Sequence, residues 1–354
     1  MHSTADSAHS AQLRVSRKLN GELLLKEEHI TMKTLRSTER ISPDEMTDAI
    51  LRSGYLLERR VATVLGKAGY KVVTNRGFTD PEPDKETGKS REYDVLAFKD
   101  ISVYGSGLHG IFPTLICECE NNPQPIVFFV KEKQTFEPLI DEVRVSGVPS
   151  KIWEHNKFIS VQKFTEVESF HHYCRPEVPV GSQYCSFQIK KDRSGPTWMA
   201  HHIDEAHKTL TTVFKALEFE INEDFRLWRI DEKLKREFID LSFYYPMAIF
   251  QGEIYAAHME PELRLEKCQH VQLNMEYFSF YENDIISYHI DVICEEYLPS
   301  YLEIIDLEME RVKRVLQQQK DKVQLSIDKI VERCKALEKE PESYRKYLEF
   351  DSSN

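Results

Sequence analysis

Two short segments carry carboxylates at the spacing of a strand: Arg91-Glu-Tyr-Asp-Val-Leu-Ala-Phe98 and Leu115-Ile-Cys-Glu-Cys-Glu-Asn-Asn122. Side chains alternate between the two faces of a strand. Asp94, Leu96 and Phe98 therefore share one face of the first, and Ile116, Glu118 and Glu120 one face of the second. If the two strands are neighbours, Asp94, Glu118 and Glu120 converge on one point. Charge gathered on an apolar sheet is costly unless it is compensated. A hard divalent cation that prefers oxygen ligands, Mg²⁺ (or Mn²⁺), would compensate it.

The surrounding sequence says what positions these groups. Ser42-Pro43-Asp44-Glu45 is a helix start, with a capping serine, a proline in the first turn and a glutamate that completes a capping box. Ile50, Leu57, Val61, Val64 and Leu65 give the helix that follows an apolar stripe, and Gly69 suits its C-terminal cap. Glu58 lies beside that stripe, between Gly54 and Ala62 at helical spacing, where it can reach over a sheet toward Asp94. The competing reading is a solvated glutamate paired with Arg59 or Arg60. Tyr70 to Asn75 predicts a first strand, residues 76–91 a polar loop, and Gly105 to Gly110 a turn between the two carboxylate strands. Ile126 to Val130 is a further apolar run. A helix followed by consecutive strands fits a mixed α/β sheet.

This order resembles the PD-(D/E)xK nucleases, the restriction-endonuclease-like superfamily. The residues that carry the likeness are Gly54-Tyr-Leu-Leu-Glu-Arg-Arg-Val61, Ala68-Gly-Tyr-Lys-Val-Val73, Gly88-Lys-Ser-Arg-Glu-Tyr-Asp94 and the Glu118-Cys-Glu120 pair. The likeness spans residues 42–130 and is looser up to about residue 225. It implies a mixed sheet flanked by helices and Mg²⁺-dependent phosphodiester hydrolysis, in DNA rather than RNA, in a setting such as prokaryotic defence or repair. Asp94 and Glu118 are the implied metal ligands, with the backbone carbonyl of Cys119 as a further one and Glu58 as a secondary or orienting group. Glu120 stands where the resemblance implies a lysine; some restriction enzymes carry a glutamate there. Lys89, Arg91, Lys131 and His202 are candidates for substrate contact.

A net charge of −12 argues against a generic basic coat for nucleic acid, while leaving room for a local groove. There is no run of eighteen apolar residues, so no membrane-spanning helix and no membrane partner are expected. No apolar secretory segment is visible at the N-terminus. The seven scattered cysteines suit reduced, buried thiols and a cytoplasmic setting. No second cysteine pair has finger spacing, which argues against zinc.

Residues 1–41 read as a flexible arm, 42–230 as the nuclease-like domain, 231–297 as a β-rich extension or second domain, and 298–354 as a long amphipathic helix and tail. Lys157 to His172 suggests a helix, Gln183 to Lys190 a strand, and Asp204 to Glu220 a helix with Leu210, Val213, Phe214 and Leu217 inward. In the C-terminal helix, Ile305, Met309, Val312, Leu316, Val323, Ile330 and Leu337 follow a heptad-like spacing. The stripe fits a coiled coil and homo-oligomer, or equally a helix packed on its own domain. Three further clusters are weaker: His201-His202 with Asp204, Glu205 and His207; His171-His172; and Asp291 between Ile290 and Val292. The rival to the enzyme is a catalytically inactive nuclease-fold module that binds partners or scaffolds them through the C-terminal helix.

Overall fold

The computed structural model describes residues 40–80, 88–105, 109–122, 124–131, 143–192, 195–201, 204–230, 239–259, 261–279 and 284–337. Nearly all of the expected N-terminal arm, and His202, lie outside them. The first half contains α1 (Pro43–Arg52), α2 (Tyr55–Lys67), β1 (Lys71–Asp80), β2 (Lys89–Phe98), β3 (Ile101–Ser102), β4 (His109–Asn121) and β5 (Ile126–Lys131). Next come β6 (Val145–Val148), β7 (Lys151–Glu154), β8 (Lys157–Ser160), α3 (Val161–Phe164), β9 (Val180–Asp192) and β10 (Gly195–His201). The remainder is α4 (Asp204–Ile230), β11 (Ile239–Gln251), β12 (Ile254–His258), β13 (Arg264–Cys268), β14 (His270–Ser279), β15 (Asp284–Cys294), α5 (Leu298–Gln318) and α6 (Lys320–Leu337).

The capping box at Ser42 forms: the Glu45 N–H donates to Ser42 Oγ at 3.2 Å, and the Ser42 N–H donates to the Glu45 carboxylate at 2.9 Å. The expected single helix is two, broken at Ser53 and Gly54, where Ser53 leaves the helical conformation and its N–H turns back to the Ile50 carbonyl. Gly69 has φ +88°, the left-handed geometry of a helix end. The polar stretch expected as a loop from residue 76 instead carries β1 on to Asp80, paired with Lys89 in register. Its side chains are bound across to α4, which gives a polar sequence a reason to stay extended: Lys215 Nζ donates to Asp80, and Arg76 Nε donates to Glu220 at 3.2 Å. Lys157 to His172 is not one helix; it divides into β8, the four-residue α3 and 3₁₀ turns.

Among the described residues one mixed sheet of thirteen strands dominates, with the order β1-β2-β4-β11-β15-β14-β9-β5-β12-β13 along its main path. β4 and β11 are parallel over their full length, and β11 and β15 are parallel as well. β2 runs antiparallel to β4 on the other side. The stretch expected as a β-rich extension or second domain thus supplies the centre of this same sheet. β11 is buried almost throughout, as a strand covered on both faces must be.

Each face of the sheet has its own core. On one face, Leu57, Val61 and Leu65 of α2 and Ile305, Met309, Val312 and Leu316 of α5 pack on Leu115 and Cys117. On the other, Leu210, Val213, Phe214 and Leu217 of α4 pack on Ile116 and Ala248. The C-terminal stripe therefore faces its own chain. Its helix also ends at Gln319 and restarts as α6, whose Val323 and Ile327 continue the same core. Among its described side chains, Ile305, Met309, Val312, Leu316, Val323 and Ile330 are all buried, so they offer a homo-oligomer no exposed apolar surface. No helix among the described residues is long and apolar enough to cross a membrane.

Candidate active site

The register Val95↔Cys117 and Leu96↔Ile116 sets the two carboxylate strands side by side. On β4, Leu115, Cys117 and Cys119 enter the core beneath α2, and Ile116 enters the core beneath α4. Glu118 and Glu120 follow Ile116 onto the α4 face by alternation. β2 does not alternate as simply as expected. Tyr93 and Leu96 belong to the α4 core, while Val95 and Ala97 belong to the α2 core. Asp94 sits at that changeover. Asn75, bracketed across the ladder by Thr74↔Val95 and Arg76↔Tyr93, has φ 53°, so the irregularity is shared by both strands. The consequence is that Asp94 turns toward β4, and its Oδ2 accepts the Cys119 N–H at 2.7 Å.

Four acidic groups meet here, and their acidities record it. Burial, reinforced by the charge of Asp94, raises the Glu58 carboxyl on α2 above the usual range. Burial also raises Asp94, against the opposing pull of the Cys119 N–H and a hydrogen bond with Glu118. Glu118 is pushed up to about 10, first by burial, then by the charge of Asp94 and their shared hydrogen bond, then by Glu120 and Glu58. At neutral pH Glu118 therefore keeps its proton and donates it to Asp94. Glu120 is held from α4, where Thr209 Oγ1 donates to its Oε2 at 2.8 Å. All four carboxylates picked out in the sequence come together. An all-oxygen donor set in which a proton bridges two carboxylates fits a hard divalent cation, which would take the place of that proton.

Arg60 does not neutralise Glu58, the alternative weighed from sequence. Its guanidinium donates to both oxygens of Glu295, at 2.5 and 2.8 Å, and to Gln251 Oε1 at 3.1 Å. It thereby ties α2 to the ends of β11 and β15, and so fixes where Glu58 stands.

The positive candidates are placed elsewhere. Arg91 and Lys215 both donate to Asp80 Oδ2 on the α4 face, an ion cluster that holds β1, β2 and α4 together. Lys89 is exposed at the far end of β2, five residues or roughly 17 Å of strand from Asp94. Lys131 is on β5, which is separated from β4 in the sheet order by β11, β15, β14 and β9, and it lines a 460 Å³ cavity with His258, Glu266 and His270. His202 lies outside the described residues.

A second polar centre joins two of the weaker sequence clusters, the His171-His172 pair and Asp291. His172 is fully buried with its Nδ1 3.0 Å from Glu308 Oε1 and its Nε2 3.0 Å from Asp291 Oδ2. His270 reaches Asp291 at 2.7 Å, Tyr301 Oη donates to Asp291 at 2.6 Å and Tyr245 Oη donates to Glu308 at 3.1 Å. Burial lowers the His172 pKa, but the two carboxylates outweigh it and raise it to about 9. With a carboxylate on each ring nitrogen, His172 is a charged imidazolium. His171, His172 and Glu308 each offer a ligand atom, all within 4.8 Å of one another, which is close enough for a metal ion. Sequence spacing could not find this centre, because His172 and Asp291 are 119 residues apart.

No family model, curated protein or solved structure matches the chain.

Proposed function

We propose that the chain is a metal-dependent nuclease of restriction-endonuclease-like fold that hydrolyses phosphodiester bonds in DNA. The observation that carries this reading is the meeting of Glu58, Asp94, Glu118 and Glu120, in which Asp94 accepts the Cys119 N–H and Glu120 the Thr209 hydroxyl. Asp94 and Glu118 would hold Mg²⁺ (or Mn²⁺), with the Cys119 carbonyl as a further ligand. When bound, the ion supplies an acidified water and positive charge to face the phosphate. Asp94 stays in place because the Cys119 N–H restrains it. Glu120, oriented by Thr209, accepts the proton of the attacking water and releases it to solvent. Glu58 supports the site from α2, braced by the Arg60–Glu295 pair two residues away. DNA as the substrate comes from the sequence resemblance alone.

Incubation of supercoiled plasmid with Mg²⁺ or Mn²⁺ tests this. The wild type should nick it, and Asp94→Ala should abolish both nicking and Mn²⁺ binding by calorimetry while its circular dichroism is unchanged. Unchanged Mn²⁺ affinity in that variant would overturn the assignment.

A second reading is favoured by one specific observation. Glu120, at the position where the resemblance implies a lysine, is engaged by Thr209. On that reading the fold binds nucleic acid and does not cut it.

A further inference from the structure

β9 and β10 form an antiparallel ribbon whose outer half leaves the sheet. Gln188 to Lys191 and Pro196 to Ala200 are exposed on both strands. The register sets Trp198 opposite Ile189 and Pro196 opposite Lys191, so these four share one face. Trp198 is 56 % exposed and Ile189 51 %. An indole left open on a projecting ribbon points to a partner. Charge narrows the choice of partner. Residues 186–201 carry Lys190, Lys191 and Arg193 against Asp192 alone, in a chain of net charge −12.

The root of the ribbon is tied to the connector that follows the carboxylate strand β4. Ser186 Oγ donates at 2.9 Å to the carbonyl of Pro125, in the connector that leaves β4 just after Glu120. β10 leads toward α4, whose Thr209 holds Glu120. Trp198 is three residues beyond His201, roughly 10 Å along the strand. A ligand lying along the ribbon would be led to the acidic site.

We infer that this ribbon is an arm for an unpaired nucleic-acid strand, with a base stacked on Trp198 and the adjoining backbone phosphate on Lys191. The inference rests on the nuclease reading for what happens to the strand at the carboxylates; the binding stands on the ribbon itself. Duplex affinity is dominated by neutralised phosphates, and three cations on an acidic chain supply little of that. An open indole stacks on any base with a free face, which only an unpaired strand offers.

Fluorescence anisotropy with a labelled oligothymidine and a labelled duplex of equal length tests the arm, with Ca²⁺ replacing Mg²⁺ so that nothing is cut. The wild type should bind the single strand more tightly. Trp198→Ala should weaken that binding by about tenfold, and Trp198→Phe should restore most of it. Lys191→Glu, a second exposed change, should weaken it and flatten its salt dependence by about one phosphate. Failure of the wild type to bind the single strand overturns the arm. So does an unchanged affinity in Trp198→Ala, or an equal loss on duplex. The two readings fail separately. Binding lost in Trp198→Ala, in a protein that never cuts, supports the arm and removes the nuclease. Cutting with an unaltered KM in Trp198→Ala keeps the nuclease and removes the arm.

Discussion

Asp94 Oδ2 accepts the backbone N–H of Cys119 at 2.7 Å, which locks the acid of β2 onto the residue between Glu118 and Glu120 of β4. The lock explains why two acids share a proton. Asp94 cannot swing away from Glu118, and Glu118 is pushed up to about 10.

Metal binding should therefore release protons. Calorimetry of Mn²⁺ binding at pH 7, repeated in buffers of different ionisation enthalpy, should show about one proton leaving per ion. Affinity should climb by up to about tenfold per pH unit between pH 6 and 9, since Glu118 must ionise to bind. A heat that does not depend on the buffer would contradict the shared proton.

Glu120→Gln keeps the shape and removes the base. It should slow cleavage by about 10² or more with little change in substrate affinity. Glu120→Lys decides between the two readings of the site. If the wild type is inert with both Mg²⁺ and Mn²⁺ and the lysine variant cuts, the native chain is a binding module.

His172 makes stability depend on pH. Its folded pKa, about 9, lies above the ordinary histidine value near 6.5. Its contribution is therefore complete below about pH 6.5 and is lost as pH rises through about 9. Glu118 acts in the same direction, because its raised carboxyl favours the folded state only while it is protonated. Melting curves in a Glu118→Gln background separate the two, and Tm should still fall from pH 7 to 9. His172→Ala leaves Asp291 and Glu308 buried without their cation and should cost about 3–5 kcal/mol. A variant that melts like its parent would show that another group balances those charges.

Val312→Asp with Leu316→Asp tests where the C-terminal stripe points. Both side chains are fully buried in the core beneath α2. Charges there should unfold the protein, or leave it with lost near-ultraviolet dichroism, and should not yield a folded monomer. A folded product of smaller size by light scattering would mean the stripe is an interface after all.

The carboxylate strands were legible because alternation and apolar content are local signals. Asp94, Glu118 and Glu120 could be placed from a few neighbouring residues each. Glu58 was legible from its position beside the stripe of α2. Strand order was not, since β11 pairs with β4 through contacts that no local pattern records. The extension of β1 to Asp80 was missed for a similar reason: Lys215, distant in sequence, is what holds that acid. Proximity in sequence to Asp94 says nothing about the direction of a basic side chain, and Arg91 turns to Asp80. The His172 centre is the extreme case: the His171-His172 pair and Asp291 each stand out only weakly in sequence, and nothing local joins them.

The place of β11 also bears on how the chain is made. β4, with its two site glutamates, is complete at Asn121, but its parallel partner β11 begins at Ile239. At about 5–20 residues per second, translation leaves the apolar edge of β4 without that partner for on the order of ten seconds. Throughout that interval the nascent chain offers a β-edge to its neighbours on the same messenger. Yield in a cell should thus respond to translation speed and to holdase chaperones more than Tm does, and fragments ending before Gln251 should be insoluble.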